Sequence, residues 1–213
     1  MKSGWRLRIE ELVRPLYTEL DGVDTFGEVT ALERRLELLA GGVEHDRDRL
    51  ALLVLFHGVV PRLGSLATGG RWQLLLRGIG LETEAIRLLR AGLGRFLTNP
   101  RTAEEALLHD ALLLARSGVR AAVTRLLAAG RKKTALDQAL AQLDPGPEPG
   151  RFLTPLGKAS ARDRYRAASE WIEQLRGQIS REDRRTAGEL ARDDHDPPSV
   201  VSSPSHAGGY RRT

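Results

Sequence analysis

The sequence predicts an all-α protein: one helical bundle of about eight helices over residues 1–182, followed by a tail over 183–213 that lacks a core. Three observations carry this. Apolar residues recur at three- and four-residue spacing along most of the chain, and no segment sustains the alternation of a strand. Glycine- and proline-rich breaks separate the periodic stretches. The composition, 41% hydrophobic and 29% charged over 213 residues, suits a chain that can bury a sizeable core. With aromatics at 5%, that core must be built of Leu, Ala and Val.

The first helix carries Ile9, Leu12, Val13, Leu16 and Leu20 on one face. The second, "GEVTALERRLELLAG", carries Val29, Leu32, Leu36 and Leu39 and closes on glycine. "DRDRLALLVLFHGVVPRLG" is apolar all round after a charged start, so it reads as the central helix, ended by Pro61 and Gly64. "GGRWQLLLRGIG" reads as a short helix between glycines. "ETEAIRLLRAGLGRFL" puts Ile86, Leu89, Leu93 and Phe96 on one face, and Asn99-Pro100 breaks the chain. Thr102 with Glu105 is a capping-box start for "AEEALLHDALLLARSG". "VRAAVTRLLAAG" and "KTALDQALAQL" read as two short helices and "DPGPEPG" as a loop. Thr154-Pro155, an N-cap followed by proline at the first helical position, then opens a last helix striped by Tyr165, Ala168, Ile172, Leu175 and Ile179. From about residue 183 the chain has little to bury and much Pro, Ser and Gly, the composition of a disordered segment.

Several function classes fall away. There is no Cys, which excludes disulfides, thiolate metal sites and a cysteine nucleophile. The start of the chain lacks a signal-peptide block, and the longest apolar run, "LALLVLFHGVVP", is too short to span a bilayer, so the expected location is the cytoplasm, away from membranes. No glycine loop has the strand context and lysine of a phosphate cradle. Net charge is +5, but only four basic residues are Lys, and the arginines are interleaved with Glu and Asp as on solvated helix faces. Two basic features stand out: "GRKK", with Lys132 and Lys133 in a turn, and Arg71 beside Trp72, a guanidinium next to an indole that could stack on a base.

Three helices place polar groups where apolar ones are expected. Glu28 starts the second helix and His57 lies within the central one. Asp110 shares a face with Ala103, Ala106, Leu107, Leu113 and Leu114. A buried carboxylate needs a partner, a proton or a cation. Asp110 can therefore be a metal ligand or an internal clasp bonded to His57, Thr25 or Arg77. His109, its neighbour, reads as a partly exposed helix residue.

The order of these helices and the spacing of these positions resemble the HD superfamily of metal-dependent phosphohydrolases. The resemblance covers roughly residues 9 to 179. It implies an all-α fold in which His and Asp side chains hold one or two divalent metals that activate water against a phosphate ester. On "GEVTALERRLELLAG", Glu28 stands where the family's first His belongs. On "LALLVLFHGVVPRLG", His57 is kept but Gly58 replaces the Asp of the His-Asp pair. On "LLHDALLLARSGV", Asp110-Ala111 and Gly118 match the third motif, while Leu112 and Ala115 replace its later acids. The "FLTPLGKASARDRYRAASEWIEQL" segment is similar to the end of small members.

The resemblance thus implies a degenerate metal motif and a binding or regulatory scaffold with no resident cofactor, acting on an unidentified small ligand or protein partner. The alternative is an active hydrolase of a nucleotide or phosphate ester, with Glu28, His57 and Asp110 on one Mn²⁺ or Mg²⁺. A third, less favoured expectation is association with nucleic acid or phosphate through Arg71, Lys132 and Lys133.

Overall fold

The structure, a computed structural model, describes residues 4–18, 26–59 and 70–193. Among these are nine α-helices and one turn of 3₁₀ helix, Pro149–Arg151, with no strand. The helices are α1 (Trp5–Thr18), α2 (Phe26–Leu39), α3 (Arg47–Phe56), α4 (Gly70–Gly78), α5 (Thr83–Arg95), α6 (Ala103–Ala115), α7 (Gly118–Arg131), α8 (Leu136–Ala141) and α9 (Pro155–Asp193). The all-α fold that the periodicity predicts is the fold observed. No helix among the described residues is long and apolar enough to cross a membrane.

The chain divides into two compact units, residues 1–172 and 173–213. In the first, α3 and α6 form the centre, because neither has a polar face to give to solvent. Leu50, Leu52, Leu53, Val54, Leu55 and Phe56 of α3 are all buried, each contributing about 1.5–3 kcal/mol of burial. On α6, Leu107, Leu108, Ala111, Leu113 and Leu114 are buried, and so are Glu104, Glu105, His109 and Asp110. α2 and α5 pack around this pair with the stripes the sequence gives them: Val29, Leu32, Leu36 and Leu39 on α2, and Ile86, Leu89 and Leu93 on α5. α1 buries Ile9, Val13 and Tyr17, whereas Leu12 and Leu16 are half-buried. Leu20 lies outside the described residues.

Three features differ from expectation. α3 stops at Phe56, so His57 is its C-cap rather than an interior residue. The reason is a tertiary contact: Gly58 donates its N–H to Tyr17 Oη at 3.1 Å, and Val59 bonds Phe56 in a tight turn. Pro61 and Gly64, expected to end that helix, lie outside the described residues. His109 is buried, at 7% exposure, because α6 is enclosed on the face expected to meet solvent. Finally, α9 runs to Asp193, about ten residues beyond the expected boundary. The segment "REDRRTAGELARD" is rich in Arg, Glu and Ala, good helix formers that need no core. In the second unit the described residues, 173–193, are all helical, including the first eleven residues of the tail expected over 183–213; the rest of it, 194–213, lies outside the described residues.

Candidate functional site

Asp110 organises the polar interior. It sits on α6 with no solvent exposure. The backbone N–H of Leu153 donates to Oδ1 at 2.9 Å and to Oδ2 at 3.2 Å. The Thr154 N–H and hydroxyl both donate to Oδ2 at 2.7 Å. His109 Nδ1 lies 3.1 Å from Oδ1. Thr154 Oγ1 in turn accepts the Gly157 N–H at 3.0 Å, which is the N-cap bond of α9. Asp110 and Thr154 therefore form one relay that fixes where the last helix begins. The Thr-Pro start is legible in the sequence; of the expected clasp partners of Asp110, His57 and Arg77 bond elsewhere, and the acid meets a loop more than forty residues downstream. Arg77 instead donates to Thr83 Oγ1 at 3.0 Å, and Thr25 lies outside the described residues.

His57 is half-buried at the end of α3, and its Nδ1–H donates to the Val54 carbonyl at 2.6 Å. Its ring centre lies 6.4 Å from that of Tyr17. Burial lowers the imidazole pKa, partly offset by the Val54 bond and the charge of Glu28. Tyr17 donates to Leu55 O at 3.1 Å and accepts from Gly58, and burial pushes its hydroxyl up to about 12. Glu28 is exposed in the first turn of α2, where a carboxylate suits the helix dipole.

These placements answer whether Mn²⁺ or Mg²⁺ fits the three candidate ligands. Both oxygens of Asp110 face protein donors, His57 spends Nδ1 on its own helix, and Glu28 lies at the surface. Among the described residues no three His, Asp or Glu side chains are gathered as a cation would require. The donor set does not fit such an ion, which wants several oxygens or imidazoles converging on one point.

A second buried polar node lies at the other end of α6 and escapes sequence reading. Glu105, fully buried, accepts two bonds from Arg95, at 2.9 and 2.8 Å, one from Arg49 at 3.4 Å and one from the Arg101 N–H at 2.8 Å. Its N–H lies 3.4 Å from Thr102 Oγ1, so the forward half of the capping box is present, while its side chain reaches back to Arg101 instead of Thr102. Beside it Glu104 accepts the Asp46 N–H at 2.8 Å, tying α6 to the N-terminus of α3. The signal available in the sequence was a pair of consecutive glutamates at a helix start, which ordinarily marks only a favourable dipole.

Of the basic candidates, Lys132 and Lys133 are exposed in the turn after α7, Lys133 at φ +56°. The Arg71 side chain lies outside the description. Three further arginines belong to the first unit: Arg35 of α2, Arg120 of α7 and Arg164 of α9. Arg164 Nη1 donates to Leu114 O at 3.1 Å, and its stem lies against Gly118, so it is held at the corner between α6 and α7. Arg120 stands in the first turn beyond that corner. Arg35 is half-buried, and burial followed by the charges of Arg164 and Arg120 lowers its pKa.

The chain matches no protein-family model, no curated protein and no solved structure.

Proposed function

We propose that this protein is a helical binding or regulatory scaffold, HD-like in the order of its helices, in which the position of a metal-ligating acid now serves architecture. One observation carries the reading: the Asp110 carboxylate lies within hydrogen-bond reach of three donors from Leu153 and Thr154 and of His109, and it sets the start of α9. A carboxylate so occupied gives no oxygen to a cation without unfastening that helix. Gly58, where the resemblance calls for an Asp, leaves His57 without a neighbouring acid and serves the Tyr17 turn instead.

Metal analysis of the full chain tests the reading. After equilibration with Mn²⁺ or Mg²⁺ and desalting, the protein should retain far less than one ion per chain. It should hydrolyse neither nucleotides nor simple phosphodiesters above the buffer rate. Asp110→Ala should lower thermal stability and leave metal content unchanged. One ion per chain, lost together with hydrolytic turnover in His57→Ala or Asp110→Ala, would overturn the proposal in favour of the hydrolase.

A further inference from the structure

Two grooves on the first unit differ in charge. The larger, about 690 Å³, lies between α1, α2 and α3, and its rim balances Arg6 and Arg47 against Glu33 and Glu37. The smaller, about 210 Å³, lies between α4 and α5 and is lined by Gln73, Arg77, Thr83, Ile86, Arg87 and Arg90. It brings three arginines to one cavity, with no carboxylate among the described residues that line it. Helix register explains why these six meet. Gln73 and Arg77 are four residues apart on α4, while Ile86, Arg87 and Arg90 follow Thr83 on α5 at offsets of three, four and seven. The turn between the helices is fixed by Gly80, at φ +91°. Its N–H donates to Arg77 O at 2.9 Å and the Leu81 N–H to Leu76 O at 3.0 Å, the paired bonds of a Schellman turn, with Leu76 and Leu81 both buried.

We propose that the cleft between α4 and α5 binds the phosphoryl group of a small soluble phosphate monoester. Guanidinium groups present planar forks of donors that match phosphate oxygens, and several forks around one dianion give short, charge-assisted bonds. Arg77 is pre-positioned, because its Nη2 donates to Thr83 Oγ1 at 3.0 Å and so ties the guanidinium to the opposite helix. The Thr83 hydroxyl keeps its own hydrogen to donate to a ligand. Arg87 donates from Nε to Glu84 at 2.8 Å, one turn earlier on α5 and outside the lining. Three arginines and that one carboxylate leave two positive charges, the complement of a phosphate dianion. Thr83 is also the first residue of α5, where the helix dipole favours an anion.

Size favours a small ligand over a nucleic acid. The cavity is smaller than the roughly 300–1,000 Å³ of pockets that enclose a whole organic ligand, so it takes a head group and leaves the rest of the ester outside. Its floor is the buried Ile86, which gives no hydrogen bond to a deeper polar group. One such cleft accommodates one phosphate, whereas a strand needs a basic groove that follows several in succession.

The test uses the full chain and inorganic phosphate at about pH 8, where it is a dianion, with chloride and malonate at matched ionic strength as references. Thermal unfolding should shift upward saturably with phosphate, and calorimetric titration should give one site per chain. Arg77→Gln and Arg90→Gln should each weaken that binding by about tenfold to a hundredfold. Both side chains are exposed, so the unliganded melting temperatures should stay near the parent's. Glu84→Gln releases Arg87 and should tighten binding, a gain that a purely structural role of the pair would not produce. Arg47→Gln, in the charge-balanced groove, should bind as the parent does. The proposal fails if phosphate does no more than chloride, if malonate binds as well as phosphate, or if Arg77→Gln and Arg90→Gln bind it unchanged. It fails equally if a long single-stranded RNA binds, with steep salt dependence, where phosphate does not. The cleft shares no residue with the Asp110 clasp, so loss of this proposal leaves the metal analysis standing, and the reverse holds.

Discussion

A β-carbon placed on Gly157 would clash with Asp110 Oδ2 and lie 2.7 Å from Thr154 Oγ1. The first turn of α9 thus closes over the Asp110 carboxylate only because position 157 has no side chain. The contact follows from the N-cap: Thr154 must reach both Asp110 and the Gly157 N–H, and this draws the helix start onto the acid. Gly157→Ala should force apart the most densely bonded polar group of the first unit. The expected loss is about 2–4 kcal/mol, from overpacking together with weakened hydrogen bonds. Urea unfolding of the two proteins checks it; a change within a few tenths of a kcal/mol would show that the clasp is loose.

Removing the acid separates its charge from its shape. Asp110→Ala strands the Leu153 and Thr154 N–H groups and the Thr154 hydroxyl in a buried site, and should cost about 3–5 kcal/mol. Asp110→Asn keeps one acceptor oxygen but turns an NH₂ toward donors, so it should fall between the parent and Asp110→Ala. Hydrogen exchange localises the effect: protection should fall first at residues 153–158, where α9 begins. Uniform loss across α3 and α5 would contradict that assignment.

His57 gives the protein a pH response of defined sign. Its folded pKa is lowered, chiefly by burial, against the Val54 bond and the Glu28 charge, which raise it. Besides Glu28, the titratable group facing it among the described residues is Tyr17, which remains neutral throughout this range. Because the folded state resists protonation, the unfolded chain takes up the proton first. Stability is complete above the unfolded value of about 6.5 and declines as pH falls toward the lower folded value. His57→Gln, which cannot titrate, should flatten the dependence of melting temperature on pH between about 7 and 5. An unchanged slope in that variant would assign the response to other groups.

Helix order was legible because each helix carries its own period. The α2 and α5 stripes and the Thr154-Pro155 start are local patterns that need no knowledge of partners. The site was less legible, for a physical reason. Asp110 is visibly out of place on an apolar helix, yet its partner is a backbone segment at 153–154, and backbone donors leave no mark in a sequence. Glu105 and Arg95 look like ordinary surface residues until the fold encloses one of them. The apolar pattern sets His57 inside the helix, whereas the hydroxyl of Tyr17, far upstream, diverts the chain at Gly58.

The Glu105 node carries the last prediction. Burial alone would raise this carboxyl, but bonds from Arg95 and Arg101 and the charges of Arg95 and Arg49 hold it below its usual range. A depressed folded pKa means that the contribution to stability is present above the unfolded value of about 4.5 and is lost as pH falls through the folded value. Glu105→Gln keeps the size and one acceptor but removes the charge that its arginine partners share. At pH 7 it should destabilise by about 1–3 kcal/mol. As pH falls below the unfolded value and through the lower folded one, the parent itself loses this contribution, so the gap between the two proteins should narrow in acid. Urea unfolding at pH 7 and in acid reads the difference directly. A gap that stays constant with pH would mean that Glu105 acts through packing alone, and the short bonds to Arg95 would then contribute geometry without charge.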